Sequence, residues 1–191
     1  MTRLSLSLLG FAALVLALAP ARAAARPGTP AASPETSPEV RQIRSKLRQW
    51  ERTRDDQEGT ELPSASQPGA EGSRARVFRK GGRVMIVDES YYAETGQATW
   101  SFYYDSSKPF FVLVTETRYA YPITVTAEER RKLGGGEDKT IENRYYFKGG
   151  RLIRWLEGKK PVPARGERFR DQARSVLELA ESALKNASRD R

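Results

Sequence analysis

The amino-acid sequence predicts an α+β protein, in which a six-stranded antiparallel β-meander carries an N-terminal and a C-terminal helix packed on one face. Two segments repeat apolar residues every three or four positions, as amphipathic helices do. Between them, from about residue 74 to 160, apolar and polar residues alternate, and pairs of glycine or serine separate the runs. These observations favour hairpin-linked strands in one domain of ordinary size.

The first 25 residues predict a secretory signal peptide. Arg3 gives a positive start, an apolar run over 4–19 follows, and Ala21-Arg22-Ala23 has the A-x-A form that signal peptidase cleaves. The run is shorter than the ~20 residues of a membrane span, so an uncleaved anchor is the weaker alternative. The chain has no cysteine for lipid attachment. We therefore expect a periplasmic or secreted bacterial protein without a transmembrane segment after cleavage.

The first predicted helix lies between two linkers. Residues 26–37 predict a disordered linker, and residues 56–73 a flexible one with almost no apolar content. Between them the pattern predicts a helix over 38–55, with Pro38 at its first position and Thr36 or Ser37 as its N-cap. Its apolar stripe consists of Val40, Ile43, Leu47 and Trp50.

Six alternating segments predict the meander, over 74–160 in total. The strands are expected at about 74–80, 83–92, 97–104, 108–119, 140–148 and 151–157. The tetrapeptide Lys-Gly-Gly-Arg occurs at 80–83 and again at 148–151, which suggests a degenerate hairpin repeat. Segment 120–139 interrupts the meander, and Thr126 is a candidate N-cap for a short helix within it.

A second amphipathic helix over 167–188 completes the predicted domain, which extends from 38 to 191. Its apolar stripe consists of Phe169, Ala173, Val176, Leu177, Ala180, Leu184 and Ala187.

The composition excludes several classes of active site. The chain contains no histidine and no cysteine. Their absence excludes Cys and His nucleophiles, the Ser-His-Asp triad and almost every zinc site. We therefore expect no catalytic residues, no cofactor and no metal, although Asp, Glu, Lys, Tyr, Ser and Thr leave enzyme chemistry open.

Glu89 is the one acidic residue placed on the predicted apolar sheet face. Counting from a two-residue turn puts Arg74 directly opposite it, so one interpretation is a structural ion pair. The other is a functional carboxylate in an apolar wall, which lines a pocket together with the 120–139 segment. The second interpretation predicts a small-ligand carrier or an enzyme.

The last hairpin predicts a basic surface with aromatic side chains. Counting across its Gly-Gly turn places Arg144, Tyr146, Arg151 and Trp155 on one side, with Arg144 opposite Trp155. Such a surface either stabilises an edge hairpin through a cross-strand ladder or recognises an anionic partner. Residues 148–170 contain eight Lys or Arg against two Glu. Removal of the signal peptide takes away Arg3 and Arg22, which lowers the net charge from +9 to +7.

The motif Asn-Arg-Tyr-Tyr-Phe at 143–147, followed by Gly-x-Leu-Ile-Arg-Trp at 150–155, resembles a signature of small secreted proteins and lipoproteins of Gram-negative bacteria. The resemblance implies an envelope location and no particular activity. We expect a non-catalytic binding or adaptor module for an anionic envelope component or a protein partner. The alternatives are the carrier or enzyme near Glu89 and a structural envelope protein. Secretion argues against nucleic acid as the partner.

Overall fold

The computed structural model describes residues 37–55, 59–64 and 73–189. Its helices are α1 (Pro38–Asp55), α2 (Ala127–Lys132) and α3 (Glu167–Arg189). Its strands are β1 (Thr60–Pro63), β2 (Arg74–Lys80), β3 (Arg83–Ala93), β4 (Gly96–Asp105), β5 (Lys108–Arg118), β6 (Lys139–Lys148), β7 (Arg151–Glu157) and β8 (Lys160–Pro161). The predicted signal peptide at 1–25, and the predicted linker at 26–37 apart from its last residue, lie outside the described residues.

The eight strands form one antiparallel sheet in the order β1 to β8. The α+β class and the antiparallel sheet are confirmed, but the predicted count of six strands is wrong. Strand β1 lies inside the predicted flexible linker 56–73, where Leu62 is its only large apolar residue. It is held by backbone pairing to β2, in which Leu62 lies opposite Ala75. Strand β8 is two residues long. Neither strand is long enough to show alternation in the sequence.

The helix starts follow local capping rules. The Ser37 hydroxyl accepts a hydrogen bond from the Val40 backbone N–H at 3.2 Å, which identifies Ser37 as the N-cap of α1. Thr126 caps α2 as predicted, and forms a reciprocal capping box with Glu129. Residues within one helical turn thus determine where α1 and α2 begin.

Three hairpins, β2–β3, β4–β5 and β6–β7, carry the same irregularity at the same end of the sheet. In each, the third residue after the two-residue turn has no partner on the neighbouring strand; these residues are Met85, Phe110 and Ile153. Such a β-bulge shifts the pairing of every later residue by one position. The equivalent bulge in the middle hairpin extends the suggested repeat to three hairpins.

The apolar residues divide between two cores on opposite faces of the sheet. The α1 core consists of Val40 and Ile43 from α1 with Phe78, Met85, Ile86, Tyr103, Phe110, Phe111, Tyr146 and Leu156. The α3 core takes the alternate strand residues, including Val77, Val87, Phe102, Tyr104, Val112, Tyr145 and Phe147, together with Phe169, Val176, Ala180, Ala183 and Ala187 of α3. The prediction that both helices pack on one face is therefore wrong. Successive side chains of a strand point to opposite faces of the sheet, so one of two neighbouring apolar residues packs on the α1 side and the other on the α3 side.

Two consecutive tyrosines attach the two helices to the same strand. The Tyr104 hydroxyl donates to the Ala180 carbonyl of α3 at 2.7 Å, and the Tyr103 hydroxyl donates to the Glu51 carboxylate of α1. Burial raises the pKa of both phenols above the ordinary value of 10.0. Each hydroxyl thus stays protonated at neutral pH and donates a hydrogen bond inside its core.

An ion pair fixes the C-terminal end of α1. The Arg54 guanidinium binds the Asp88 carboxylate on β3, and also donates to the Tyr103 hydroxyl at 3.3 Å. Burial raises the pKa of Asp88 above its ordinary value, because the loss of hydration outweighs the attraction of Arg54. The pair therefore holds the end of α1 at a defined place on β3. Part of the attraction between the two charges only offsets the cost of removing them from water.

We expect Arg54→Met to lower the free energy of unfolding at pH 7 by about 2–3 kcal/mol, because Asp88 would stay buried without its cation. The variant should raise the folded-state pKa of Asp88 further. Below 3.8, the ordinary Asp pKa, the carboxyl is protonated in both folded and unfolded chains. The difference in unfolding free energy between the variant and the unmodified protein should therefore be small at low pH. It should grow as the pH rises above the folded-state pKa of Asp88 in the unmodified protein. Urea unfolding across pH checks this. Arg52→Met, an exposed change on the same helix, is the control.

We expect Ser106→Gly to stabilise the protein by about 0.5–1 kcal/mol. Ser106 has a φ of 61°, in the left-handed region, at a turn where the other two bulged hairpins use glycine pairs. Gly81→Ala, at a φ of 57° with open space around the added methyl group, should destabilise by a similar amount. Thermal unfolding of both variants measures the effect, and a lower melting temperature for Ser106→Gly would contradict it.

Candidate functional site

The structure separates the four residues of the predicted basic aromatic surface. Arg144 and Tyr146 lie on the α1 face, Trp155 lies on the α3 face, and Arg151 is exposed beside the turn. The bulge at Ile153 causes the separation, because it moves Trp155 opposite Tyr145 and leaves Leu156 opposite Arg144. The predicted pairing of Arg144 with Trp155 is therefore wrong, and the four residues form no common surface.

The two aromatic residues of that prediction belong to the cores. Trp155 and Tyr146 are each only 3% exposed. Trp155 stacks on Tyr145 with ring centroids 5.5 Å apart, while Tyr146 meets Phe111 edge to face at 5.0 Å. Arg144 is half-buried, pairs with the Glu142 carboxylate, and donates to a backbone carbonyl. Of the predicted residues, only Arg151 remains available to an external partner.

Glu89 is sealed within the α3 face. It is 0% exposed, lies between Ala75 and Trp100 on the neighbouring strands, and accepts a hydrogen bond from the Tyr91 hydroxyl. The bulge at Met85 places Arg74 opposite Ser90 instead, so the predicted Glu89–Arg74 pair is wrong.

The predicted pocket beside Glu89 is not formed by the 120–139 segment. The cavity on that segment is lined by Thr124, Val125, Glu129, Lys132 and Leu133. Glu89 also does not line the cavities beside α1, at the β2–β3 turn, at the start of α3 or beside Arg54. A carboxylate that is 0% exposed is out of reach of a ligand in solution.

A groove between the start of β7 and the start of α3 is the best candidate for a binding site. We call it the arginine groove. Its volume is about 590 Å³, and its lining residues are Arg151, Leu152, Ile153, Ala164, Arg165, Phe169, Arg170 and Ala173. Its apolar floor consists of Leu152 and Phe169, which are 6% exposed, with Ile153 and Ala173, which are half-buried. The three arginines are exposed.

Local sequence explains how each side of the groove is positioned. Gly149 and Gly150, with φ of 59° and 82°, form the tight turn that starts β7 at Arg151. On α3, Phe169 and Ala173 are four residues apart and so share one helical face. Arg170, the next residue after Phe169, is directed away from the core and is exposed.

Polar contacts hold the first turns of α3 against the sheet beside the groove. Arg168 pairs with Glu157 at 2.6 Å, and its guanidinium lies 4.7 Å from the Trp155 ring. The Gln172 amide donates to the Tyr145 hydroxyl at 3.0 Å, and burial raises the pKa of Tyr145 to about 12. These contacts connect the start of α3 to β6 and β7 and so position the helical side of the groove.

The groove combines unneutralised positive charge with apolar surface. Within the described part of the chain, no carboxylate forms an ion pair with Arg151, Arg165 or Arg170. A guanidinium presents paired N–H donors that match the oxygens of a carboxylate or phosphate. The arrangement can therefore bind an anionic group and hold an attached apolar chain on the floor.

Sequence reasoning identified only Arg151 among these residues. Arg165, Phe169 and Arg170 come together with Arg151 only because the start of α3 returns to β7. The excess of basic residues over 148–170 was the signal that pointed here. Among the residues described, no group of three or more potential metal ligands occurs.

Comparison with known proteins identifies no relative: no protein-family model matches, and no curated protein or solved structure gives a significant match. No helix in the described ranges combines the length and apolar character needed to cross a bilayer.

We expect Trp155→Ala to destabilise the fold by about 3–5 kcal/mol, because it removes a large side chain from the α3 core. Arg151→Ala, an exposed change on the same strand, should alter stability by at most ~0.5 kcal/mol. Urea unfolding distinguishes the two positions. Equal stability of Trp155→Ala and the unmodified protein would show that the indole is not a core group.

Proposed function

We propose that this protein is a non-catalytic binding module that takes an anionic amphiphile in the arginine groove. The observation that carries the proposal is the meeting of three exposed arginines, without acidic partners among the described residues, around an apolar floor. The signal-like N-terminal sequence supports an envelope or secreted location, so the ligand is proposed to be an envelope component.

The size and lining of the groove favour a small ligand with two chemically different parts. Ligand pockets commonly enclose ~300–1,000 Å³, a range that includes this groove. Arg151, Arg165 and Arg170 would bind the anionic group, which gains charge-assisted hydrogen bonds. The apolar lining residues that keep exposed surface, Ile153, Ala164 and Ala173, would cover part of the apolar chain, which gains free energy with each Å² removed from water. A fully polar anion would gain only the charge-assisted hydrogen bonds.

The lining residues support binding rather than catalysis. Among the described residues, arginine is the only ionisable type that lines the groove, and a guanidinium donates hydrogen bonds but does not accept a proton. Glu157 is nearby but already pairs with Arg168. No lining side chain is suited to transfer a proton or attack a substrate at neutral pH.

The other functions considered receive less support. The carrier or enzyme hypothesis depended on a pocket beside Glu89, which is sealed in the α3 face. The hypothesis of a purely structural envelope protein differs from the present proposal because it predicts no ligand in the groove.

Isothermal titration calorimetry of the full chain with dodecyl phosphate, below its micelle concentration, tests the proposal. We expect Arg165→Ala/Arg170→Ala to weaken binding by about 30–100-fold, because two charge-assisted contacts are lost. The matched control is Lys185→Ala/Arg189→Ala, which removes the same charge from exposed positions of the same helix. Inorganic phosphate should bind more weakly than dodecyl phosphate, since it has no chain for the floor.

Two results would contradict the proposed site. One is equal affinity of the groove variant and the control variant for dodecyl phosphate. The other is equal binding of a neutral amphiphile with the same chain length, which would show that the arginines do not select an anion. Circular dichroism of both variants establishes that they are folded.

A further inference from the structure

The three bulged hairpins present positive charge in a row along the end of the sheet at which they turn. Their turns are at residues 81–82, 106–107 and 149–150, all at the same end of the meander. Basic residues flank every one of these turns. We call this row the basic edge; it consists of Lys80, Arg83, Lys108, Lys148 and Arg151.

Little of this charge is neutralised within the described residues. The one acid that flanks a turn, Asp105, pairs with Lys46 of α1 at 2.6 Å. Lys148 pairs with Glu39 at 3.1 Å. The remaining four residues of the basic edge are exposed and form no ion pair with a described acid. They therefore leave four positive charges facing solvent.

The spacing of these charges is set by the sheet. Adjacent strands lie ~4.8 Å apart, so successive hairpin turns are separated by roughly 10 Å. From β2 to β7 the row extends over about 24 Å. A single small anion contacts only one or two positions of such a row. A continuous anionic surface can meet all of them.

The location of the exposed apolar residues argues against single-stranded nucleic acid or a protein as the partner of the basic edge. Tyr92, Ile123, Leu133 and Ile141 are the exposed large hydrophobic residues among those described. All belong to the opposite end of the sheet, where Ile123 bonds to Glu94 of the β3–β4 turn. The basic edge thus lacks the exposed aromatic rings on which single-stranded nucleic acid stacks, and the aromatic anchors typical of protein interfaces.

We propose that the basic edge docks the protein onto the surface of an anionic lipid bilayer. Binding is electrostatic, and it weakens with ionic strength because the charges are exposed. This surface is separate from ligand binding in the arginine groove. The two surfaces have only Arg151 in common.

Vesicle co-sedimentation of the full chain tests the proposal. The vesicles contain equal parts of phosphatidylcholine and phosphatidylglycerol, with pure phosphatidylcholine vesicles for comparison. We expect Lys80→Ala/Arg83→Ala/Lys108→Ala to partition onto the mixed vesicles about 100-fold more weakly than the unmodified protein. The control, Arg118→Ala/Arg131→Ala/Lys139→Ala, removes the same charge from exposed positions at the opposite end. It should bind within about threefold of the unmodified protein.

Several outcomes would overturn the docking surface. Equal losses in the two triple variants would show that net charge, not the edge, determines binding. Equal binding to pure phosphatidylcholine would exclude an electrostatic surface. Full competition by inorganic phosphate at constant ionic strength would indicate a phosphate site, and stronger binding to duplex DNA than to mixed vesicles would indicate a nucleic-acid surface.

The groove variant separates this inference from the proposed function. Arg165→Ala/Arg170→Ala leaves the three tested positions of the basic edge unchanged. If dodecyl phosphate fails to bind but the edge variant still loses its vesicle binding, the docking surface stands without the groove. If the edge variant retains vesicle binding while the groove variant loses dodecyl phosphate, the groove stands alone.

Discussion

A one-residue bulge, repeated in three hairpins, determines which side chains each helix receives. The bulges at Met85, Phe110 and Ile153 lie at the same distance from their turns. Each places an additional apolar side chain in the α1 core or against it. Beyond each bulge the strand pairing differs by one position, so residues that simple counting puts opposite each other are displaced. Both cores, and the burial of Trp155, depend on this shift.

The two helices then restrict where polar groups can lie. Contacts of Tyr103 with α1 and Tyr104 with α3 give the sheet a protein layer on each face. The charged side chains of the bulged hairpins therefore lie beside the turns, where they are hydrated. On either face of the sheet they would be buried and would need a charged partner. The basic edge follows from this arrangement. The arginine groove forms where the start of α3 meets β7 and leaves Ile153 and Ala173 half-buried.

The predictions from sequence succeed where a feature depends on residues close together in the chain, and fail where it depends on strand pairing. Thr126 is the cap of α2, as its position before a helical segment indicated. Glu89 lies on a buried sheet face as predicted, but the predicted pairing with Arg74 is wrong, because the bulge at Met85 shifts the strand pairing by one position. Arg151 is the only predicted binding residue in the candidate groove, since its exposure follows from the adjacent turn. The short strand β1 was missed because backbone pairing, rather than side-chain pattern, defines it.

The sequence by itself determined the type of every element except β1 and β8, the turns of the three bulged hairpins, the excess of positive charge and the absence of His and Cys chemistry. Periodicity, capping and turn geometry act within a few residues, so they can be read along the chain. Only the tertiary structure decided the strand register, the opposite placement of α1 and α3, and the meeting of Arg151 with Arg165 and Arg170. Those features depend on contacts between residues distant in sequence, and a single extra residue in a strand reverses the side that a later side chain faces.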